Sequence, residues 1–353
     1  MTRAVSLADI ARLARLSTAT ISRVLSGAPG PSQRTRDDVL AASAKLGYTP
    51  NALARAMSTL RSGLIGVAVA DLEDPFFAEL LAGAQQRARQ DRYHLLVSSS
   101  HRDPNIECGL IEDFRSYRVE GIVLCGTPHR DLEAERKTAA GMAAAQAGGT
   151  PIIQIGIRRG PASLIHLDFT AIAADALRYL LGLGHRAIGY VGSKAADSIL
   201  ELHLRGIQGA LAEAGITPDP ALFIAVDVRG DGVSSAVQRL VARGVTAIIG
   251  ADDMLAVAII LVLRDAGLAI PGDVSVMGMD GTALPGQILR PAISTVGLPV
   301  KALGALAVDE IVRIAGGGAP RYEITLPHEV IARESTAPPR ASQRHARRAK
   351  RIG

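Results

Sequence analysis

Asp252 and Asp253 follow the short apolar run 247–249, and Asp280 follows the run 274–277. Carboxylates at strand ends can accept hydrogen bonds from the hydroxyls or amines of a small ligand, although a helix cap or a loop surface uses the same residues. Near the other end of the chain, Arg23 carries a guanidinium able to make a bidentate contact to a guanine edge. Catalytic groupings are missing. The eight histidines are scattered with no i,i+4 pair, and no nucleophile sits in a Gly-x-Ser-x-Gly elbow. Gly182-Leu-Gly184-His185 hints at a dinucleotide fingerprint, but it precedes the strand 187–191 instead of following it and lacks the third glycine. The residue types therefore favour recognition over catalysis: no enzyme, no cofactor and no metal are expected.

Arg23 must be held by what surrounds it. Ser6-Leu7-Ala8-Asp9 is a capping-box-like start, followed by Leu7, Ile10, Ala11 and Ala14 at helical spacing. A second start at Ser17 leads a helix with Ile21, Val24 and Leu25 on one face, stopping at Gly27. Two short helices joined by a three-residue turn make a helix-turn-helix, whose second helix enters the major groove N-terminus first. Thr18, Ala19, Ser22 and Arg23 then face outward. A third helix over about 32–45, ended by Gly47, is expected to bury Val39, Leu40 and Leu46. A helical bundle without a nucleic-acid partner fits the same spacing. After it, Asn51-Ala-Leu-Ala-Arg-Ala-Met57 is helical in pattern, with Asn51 as a cap. It is too short to be stable alone, which suits a segment that folds on binding.

The acids belong to a different architecture. From Leu64 onward, apolar strands at 64–70, 94–98, 121–124, 151–155, 164–167, 187–191, 222–226, 247–249 and 274–277 alternate with helices such as 76–91, 171–183, 202–214 and 255–266. Such alternation implies parallel sheets covered on both faces. Two such units would form two α/β lobes around a cleft, with ligands at the carboxyl ends of the strands.

Composition agrees with a multidomain globular chain: 353 residues, 48% hydrophobic and 21% charged, with a net charge of +5. The charge is uneven. Residues 1–60 hold eight basic and three acidic side chains, and 337–353 hold six basic and none acidic, leaving the middle acidic. Positive ends on an acidic body suit a polyanion-binding module joined to another kind of domain. The longest apolar run near the acids, 254–263, is far short of a bilayer span, and the N-terminus carries no secretory pattern. Cys108 and Cys125 read as small core residues of a reducing compartment. The expected location is the cytoplasm, at the nucleoid.

The runs Leu7-Ala-Asp-Ile-Ala-Arg-Leu-Ala, Ser17-Thr-Ala-Thr-Ile-Ser-Arg-Val-Leu, Thr35-Arg and Leu46-Gly-Tyr-Thr-Pro-Asn-Ala-Leu-Ala-Arg resemble the headpiece of the lactose/galactose-repressor family. The resemblance continues to Arg333-Glu-Ser-Thr-Ala-Pro-Pro. It implies an all-α helix-turn-helix headpiece and an α/β two-lobed core, with parallel sheets, like that of periplasmic binding proteins. The expected domains are a headpiece 1–50, a hinge helix and linker 51–62, a core 63–336 and a disordered basic tail 337–353. Within the core, lobe 1 would hold about 63–163 plus 295–324, and lobe 2 about 164–294 plus 325–336. DNA contacts are implied at Ser6, Thr18, Ala19, Thr20, Ser22 and Arg23, and in the hinge at Asn51, Ala54, Arg55 and Met57. Met57 takes the place of the family's leucine wedge in the minor groove. Effector contacts are implied at Asp74, Phe76, Phe77, His203, Asp252, Asp253 and Asp280, with Phe77 stacking on a ligand face.

The departures from the family pattern carry information too. Arg15 occupies a turn position where φ tends to be positive and glycine or asparagine is common, Ser58 replaces a lysine, and Ser26 replaces an asparagine. In the core, His203 stands at the position of an arginine, Gly156-Ile157 at that of Asp-Arg, Phe169 at that of an asparagine, and Val228 at that of a frequent aromatic. Losing an arginine fork and an aspartate predicts an effector less polar, or differently shaped, than a simple hexose. The tail has Ile352 as its only large aliphatic residue, too few for a tetramerising leucine heptad. A homodimer on a pseudo-palindromic DNA operator is expected, with a small-molecule effector and no membrane partner. The tail's arginines could add non-specific DNA affinity. A periplasmic solute-binding protein has no use for the basic headpiece, and a sugar-metabolising enzyme lacks its catalytic groups.

Overall fold

The computed structural model describes residues 5–25, 29–48, 61–128, 131–157, 162–194, 197–227, 232–283, 288–321 and 323–340. The chain divides into two compact units, Met1–Gly63 and Leu64–Gly353.

The first unit holds α1 (Leu7–Ala14), α2 (Thr18–Leu25) and α3 (Gln33–Leu46). Asp9 accepts from the Ser6 N–H at 2.9 Å and the Ser6 hydroxyl at 2.6 Å, fixing the start of α1. Ser17 Oγ accepts from Thr20 N–H at 3.1 Å and Ser32 Oγ from Thr35 N–H at 3.2 Å, starting the other two helices. Arg15 ends α1 in the left-handed region at φ 54°, so the strain expected at this turn is present. Ile10, Ile21 and Val39 are fully buried where the helices meet, each contributing roughly 1.5–3 kcal/mol. Leu40 is not part of that core and is 55% exposed. At 100° per residue the inner face of α3 is Val39, Ala42, Ser43 and Leu46, and Leu40 lies one step around it.

The second unit contains two six-stranded sheets. The first has the order β11-β5-β4-β3-β1-β2 and the second β12-β10-β9-β8-β6-β7. The first comprises β1 (Leu64–Val69), β2 (His94–Ser99), β3 (Ile122–Cys125), β4 (Ile152–Gly156), β5 (Ser163–His166) and β11 (Glu323–Thr325). The second comprises β6 (Ile188–Ser193), β7 (Phe223–Val226), β8 (Ala247–Gly250), β9 (Ser275–Asp280), β10 (Ser294–Gly297) and β12 (Glu329–Ile331). All pairings are parallel except β10 with β12. Helices cover both faces: α4 (Pro75–Gln90), α5 (Pro104–Ser116) and α6 (Leu132–Ala147) in lobe 1, then α7 (Phe169–Gly182), α8 (Asp197–Glu213), α9 (Gly232–Ala242) and α10 (Asp253–Asp265) in lobe 2. The central strands are apolar on both faces for that reason, as in the wholly buried Ile122–Cys125.

The chain passes between lobes three times. β5 remains with lobe 1, so the first crossing falls at 167–168 instead of 164. β10 remains with lobe 2, so the return comes at 298–299 instead of 295, after which α11 (Val300–Ala315) packs on α4. The third crossing lies between β11 and β12, which puts Thr325 in lobe 1. Sheet hydrogen bonding, not hydrophobic patterning, decides these few residues. Residues 337–340, expected in the disordered tail, are bound to the core: the Ala337 carbonyl accepts from His185 Nε2 at 2.9 Å and its N–H donates to Ser275 Oγ at 3.1 Å. The remainder of the tail lies outside the described residues.

Candidate functional site

In the first unit, the buried stripe Ile21 and Val24 turns the opposite face of α2 outward. Thr18, Ala19, Ser22 and Arg23 are exposed, as the helical spacing requires. Thr20 is half-buried, and its hydroxyl lies 2.8 Å from that of Ser17. Ser6 is half-buried, with its hydroxyl on Asp9. Asn51, Ala54, Arg55 and Met57, together with Ser26 and Ser58, lie outside the described residues.

In the second unit, a cleft opens where the carboxyl ends of the two sheets face each other. It encloses about 770 Å³ of empty space, its open mouth included, a size suited to a small molecule. Lobe 1 contributes Asp74, Phe76 and Phe77 after β1, Arg102 after β2, Cys125 and Gly126 at β3, and Ile155 and Gly156 at β4. Leu167 and Phe169 follow β5. Lobe 2 contributes Tyr190 and Ser193 of β6, Ile199, Leu200 and His203 of α8, Ala251 and Asp252 after β8, and Asp280 at the end of β9.

Local chemistry fixes each polar group. Asp74 caps α4, accepting from Phe76 N–H at 2.9 Å, and its Oδ2 lies 3.9 Å from Arg102 Nη2. Asp252 caps α10, accepting from Leu255 N–H at 2.6 Å. The Phe76 and Phe77 rings meet edge to face, 5.4 Å apart. His203 is 1% exposed, its Nδ1 2.9 Å from the Tyr190 hydroxyl and its ring 5.6 Å from that of Phe169. Burial pushes His203 down to about 3, so it is neutral at physiological pH. Burial holds Asp74 above the carboxylate range, opposed by the Phe76 N–H and Arg102. It pushes Asp252 up to about 6, against the Leu255 N–H and with help from the charges of Asp74 and Asp253. Asp280 is raised well above its ordinary value, first by burial and then by Asp253, Asp252 and Asp74. Its backbone sits at φ 143°, a region that disfavours side chains, and non-glycine residues kept there concentrate at functional sites.

Six of the seven expected effector residues thus line one cavity. Asp253 does not. It is 1% exposed and accepts from Thr282 N–H (2.8 Å), Thr282 Oγ1 (2.9 Å) and Thr295 Oγ1 (2.6 Å). It is a clamp joining α10 to the loop after β9 and to β10. Its neighbour Asp252 lines the cavity from the N-cap position, where the backbone is still extended (φ −148°, ψ 172°) before the helix begins. Gly156 and Phe169, noted as departures, both reach the lining, while Val228 lies outside the described residues. Arg102, Tyr190 and Ser193 were not foreseen. Arg102 follows a strand, the signal that marked Asp252 and Asp280, whereas Tyr190 lies within one. Cys125 is buried as expected but also forms cavity wall.

Among the described residues no helix is long and apolar enough to cross a membrane, and no cluster of His, Cys, Asp and Glu could hold a metal.

Comparison with known proteins places this geometry. The profile of bacterial regulatory proteins, lacI family, matches residues 6–51, and that of a periplasmic binding protein-like domain matches 177–336. The transcriptional regulator GalR of Escherichia coli K12 is 31% identical over 346 residues, spanning 96% of this chain and 98% of GalR. Catabolite control protein A of Priestia megaterium is 29% identical over 339 residues, spanning 94% and 99%. The crystal structure of the lac repressor dimer bound to operator and the anti-inducer ONPF matches with a TM-score of 0.82 at 25% identity, covering 95% of this chain and all of that one. With a helix-turn-helix presenting Arg23 in its first unit and a two-lobed core enclosing a cleft in its second, the chain belongs to the lacI family of bacterial regulatory proteins and is a DNA-binding regulator of transcription.

Proposed function

We propose that the protein is a repressor that binds a pseudo-palindromic operator as a homodimer in the cytoplasm, at the nucleoid, and that a small molecule in the cleft controls its hold on DNA. The observation that carries this reading is a cavity formed jointly by two lobes that are joined only by short crossings, so that a ligand bridging them changes their closure. Two hydrogen bonds span the cleft, Ala283 N–H to Glu79 Oε1 at 2.5 Å and Ser198 Oγ to the Pro128 carbonyl at 3.2 Å. Closure would bias the order of the hinge 51–59 and with it operator binding. A relative named as a ribose operon repressor, and a lac repressor that carries operator and anti-inducer together, support a polar metabolite as effector. The apolar wall of Phe76, Phe77, Ile155, Leu167, Phe169 and Leu200 supports one less polar than a hexose. Asp74, Phe76, Phe77, His203, Asp252 and Asp280 would contact it. Thr18, Ala19, Ser22 and Arg23 would read base edges, and Met57 would wedge the minor groove.

Footprinting on the DNA upstream of the protein's own gene, repeated with candidate metabolites, tests this. A protected palindrome whose occupancy changes with one metabolite is expected. No protected palindrome under any condition would overturn it.

A further inference from the structure

We propose that the cleft selects a small cationic amino alcohol, whose protonated amine sits among Asp74, Asp252 and Asp280 and whose neighbouring hydroxyl meets Nε2 of His203. The inference rests on reading the cleft as the effector site and goes beyond it by naming the chemical class.

The charge inventory is unbalanced. Three carboxyl groups line the cavity, and among the described lining residues Arg102 is the only basic side chain that carries charge. Arg102 stands beside Asp74 and its charge also reaches Asp252, so among the described lining residues one guanidinium faces three carboxyl groups. The capping bonds of Asp74 and Asp252 engage Oδ1 of each, and Oδ2 of Asp74 is the oxygen nearest Arg102. His203 cannot supply charge, because burial keeps it neutral. Tyr190 is held in its protonated form by burial. Behind the wall Asp253 adds a further acid, on which the charge of Arg333 acts. Buried carboxylates that repel one another either take up protons or gain a cation, and among the described lining residues Arg102 offers one positive charge to three of them.

A second observation is independent of charge. His203 Nε2 is buried without a hydrogen-bond partner, on a side chain that is 1% exposed and lines the cavity. Its other nitrogen is engaged with Tyr190, so Nε2 must donate or accept according to the tautomer, and a hydroxyl can answer either need. The phenylalanine faces nearby suit an ammonium and the carbon atoms that carry it. The backbone of Asp280 sits at φ 143°, a strained conformation of the kind retained at ligand sites.

The test uses the full chain and matched pairs that exchange one hydroxyl for an amine: glucosamine against glucose, serinol against glycerol, and phenylethanolamine against styrene glycol, with gluconate as the anionic control. Thermal shift in millimolar excess and calorimetry read the binding. At least one amine should bind roughly tenfold or more tightly than its partner. The preference should collapse in Asp252→Asn and Asp280→Asn, which keep the side-chain shape. Calorimetry in buffers of different ionisation enthalpy should show protons released from the carboxyl groups as the amine binds. Amines that are silent, or that bind no better than their hydroxyl partners or gluconate, overturn the proposal, as does binding without proton release. Leu200→Trp separates the two levels. Hydroxyl compounds that bind as tightly as their amine partners and lose binding in that variant refute the amine preference and leave the cleft reading standing, whereas binding that survives it refutes the cleft itself.

Discussion

Replacing Asp253 with alanine removes an acceptor that serves three donors, the Thr282 N–H and the hydroxyls of Thr282 and Thr295, all within 2.6–2.9 Å. A hydrogen bond to a charged group contributes roughly 1.5–3 kcal/mol, and the donors left behind are buried. The three do not add fully, because removing the carboxylate also removes the cost of burying it; burial already raises its proton affinity. A net loss of about 3–5 kcal/mol follows, typical of breaking a buried charged network. At roughly 2–4 °C per kcal/mol for a domain of this size, the calorimetric transition of the core should fall by about 6–20 °C. Asp253→Asn keeps one acceptor oxygen and should lie between wild type and alanine. Effector affinity, measured well below the lowered transition, should be retained, since Asp253 stands behind the cavity. A loss of less than about 1 kcal/mol together with abolished effector binding would refute the clamp and restore Asp253 as a ligand contact.

Gly304→Ala would place a methyl group 2.0 Å from the Leu80 carbonyl oxygen where α11 crosses α4; the helices must separate, costing about 1–3 kcal/mol, measurable by calorimetry as a lower transition of the core. Asp252 has a folded pKa of about 6 against an ordinary 3.8, so the folded state holds the proton more tightly. Its contribution to stability is therefore greatest below 3.8 and falls as pH rises through 6, so the ligand-free transition temperature should decline over that window and Asp252→Asn should flatten the decline. Arg23→Ala should weaken operator binding by about 1–3 kcal/mol in fluorescence anisotropy, a larger effect than on the melting of the headpiece, because the side chain is exposed.

What the sequence reveals depends on how local the physics is. The strands at β1, β6 and β8 and the caps at Ser6 and Ser17 follow from a few neighbouring residues, and each is found where the pattern puts it. β10, β11 and β12 are three or four residues long and owe their existence to partners far away in sequence, so no local pattern announced them. Leu40 is apolar yet exposed, because burial follows the angular position of a residue on its helix rather than its type. The cavity shows the same division. Asp252 and Asp280 could be found from their places after strands, and Phe76, Phe77 and His203 from family resemblance. Arg102 carries that same signal after its strand, Tyr190 needed the two sheets to be brought face to face, and Asp253 needed the direction of its side chain.

The central claim is that a ligand in the cleft governs the grip on DNA. Anisotropy of a labelled palindrome drawn from the protein's own upstream region, titrated with protein at fixed salt, measures it directly when repeated with a saturating cleft ligand. The account predicts a ligand-dependent change in operator affinity of at least roughly fivefold, lost in Asp280→Asn while ligand-free binding stays intact. An operator affinity indifferent to a ligand that calorimetry shows to be bound in the cleft would contradict it.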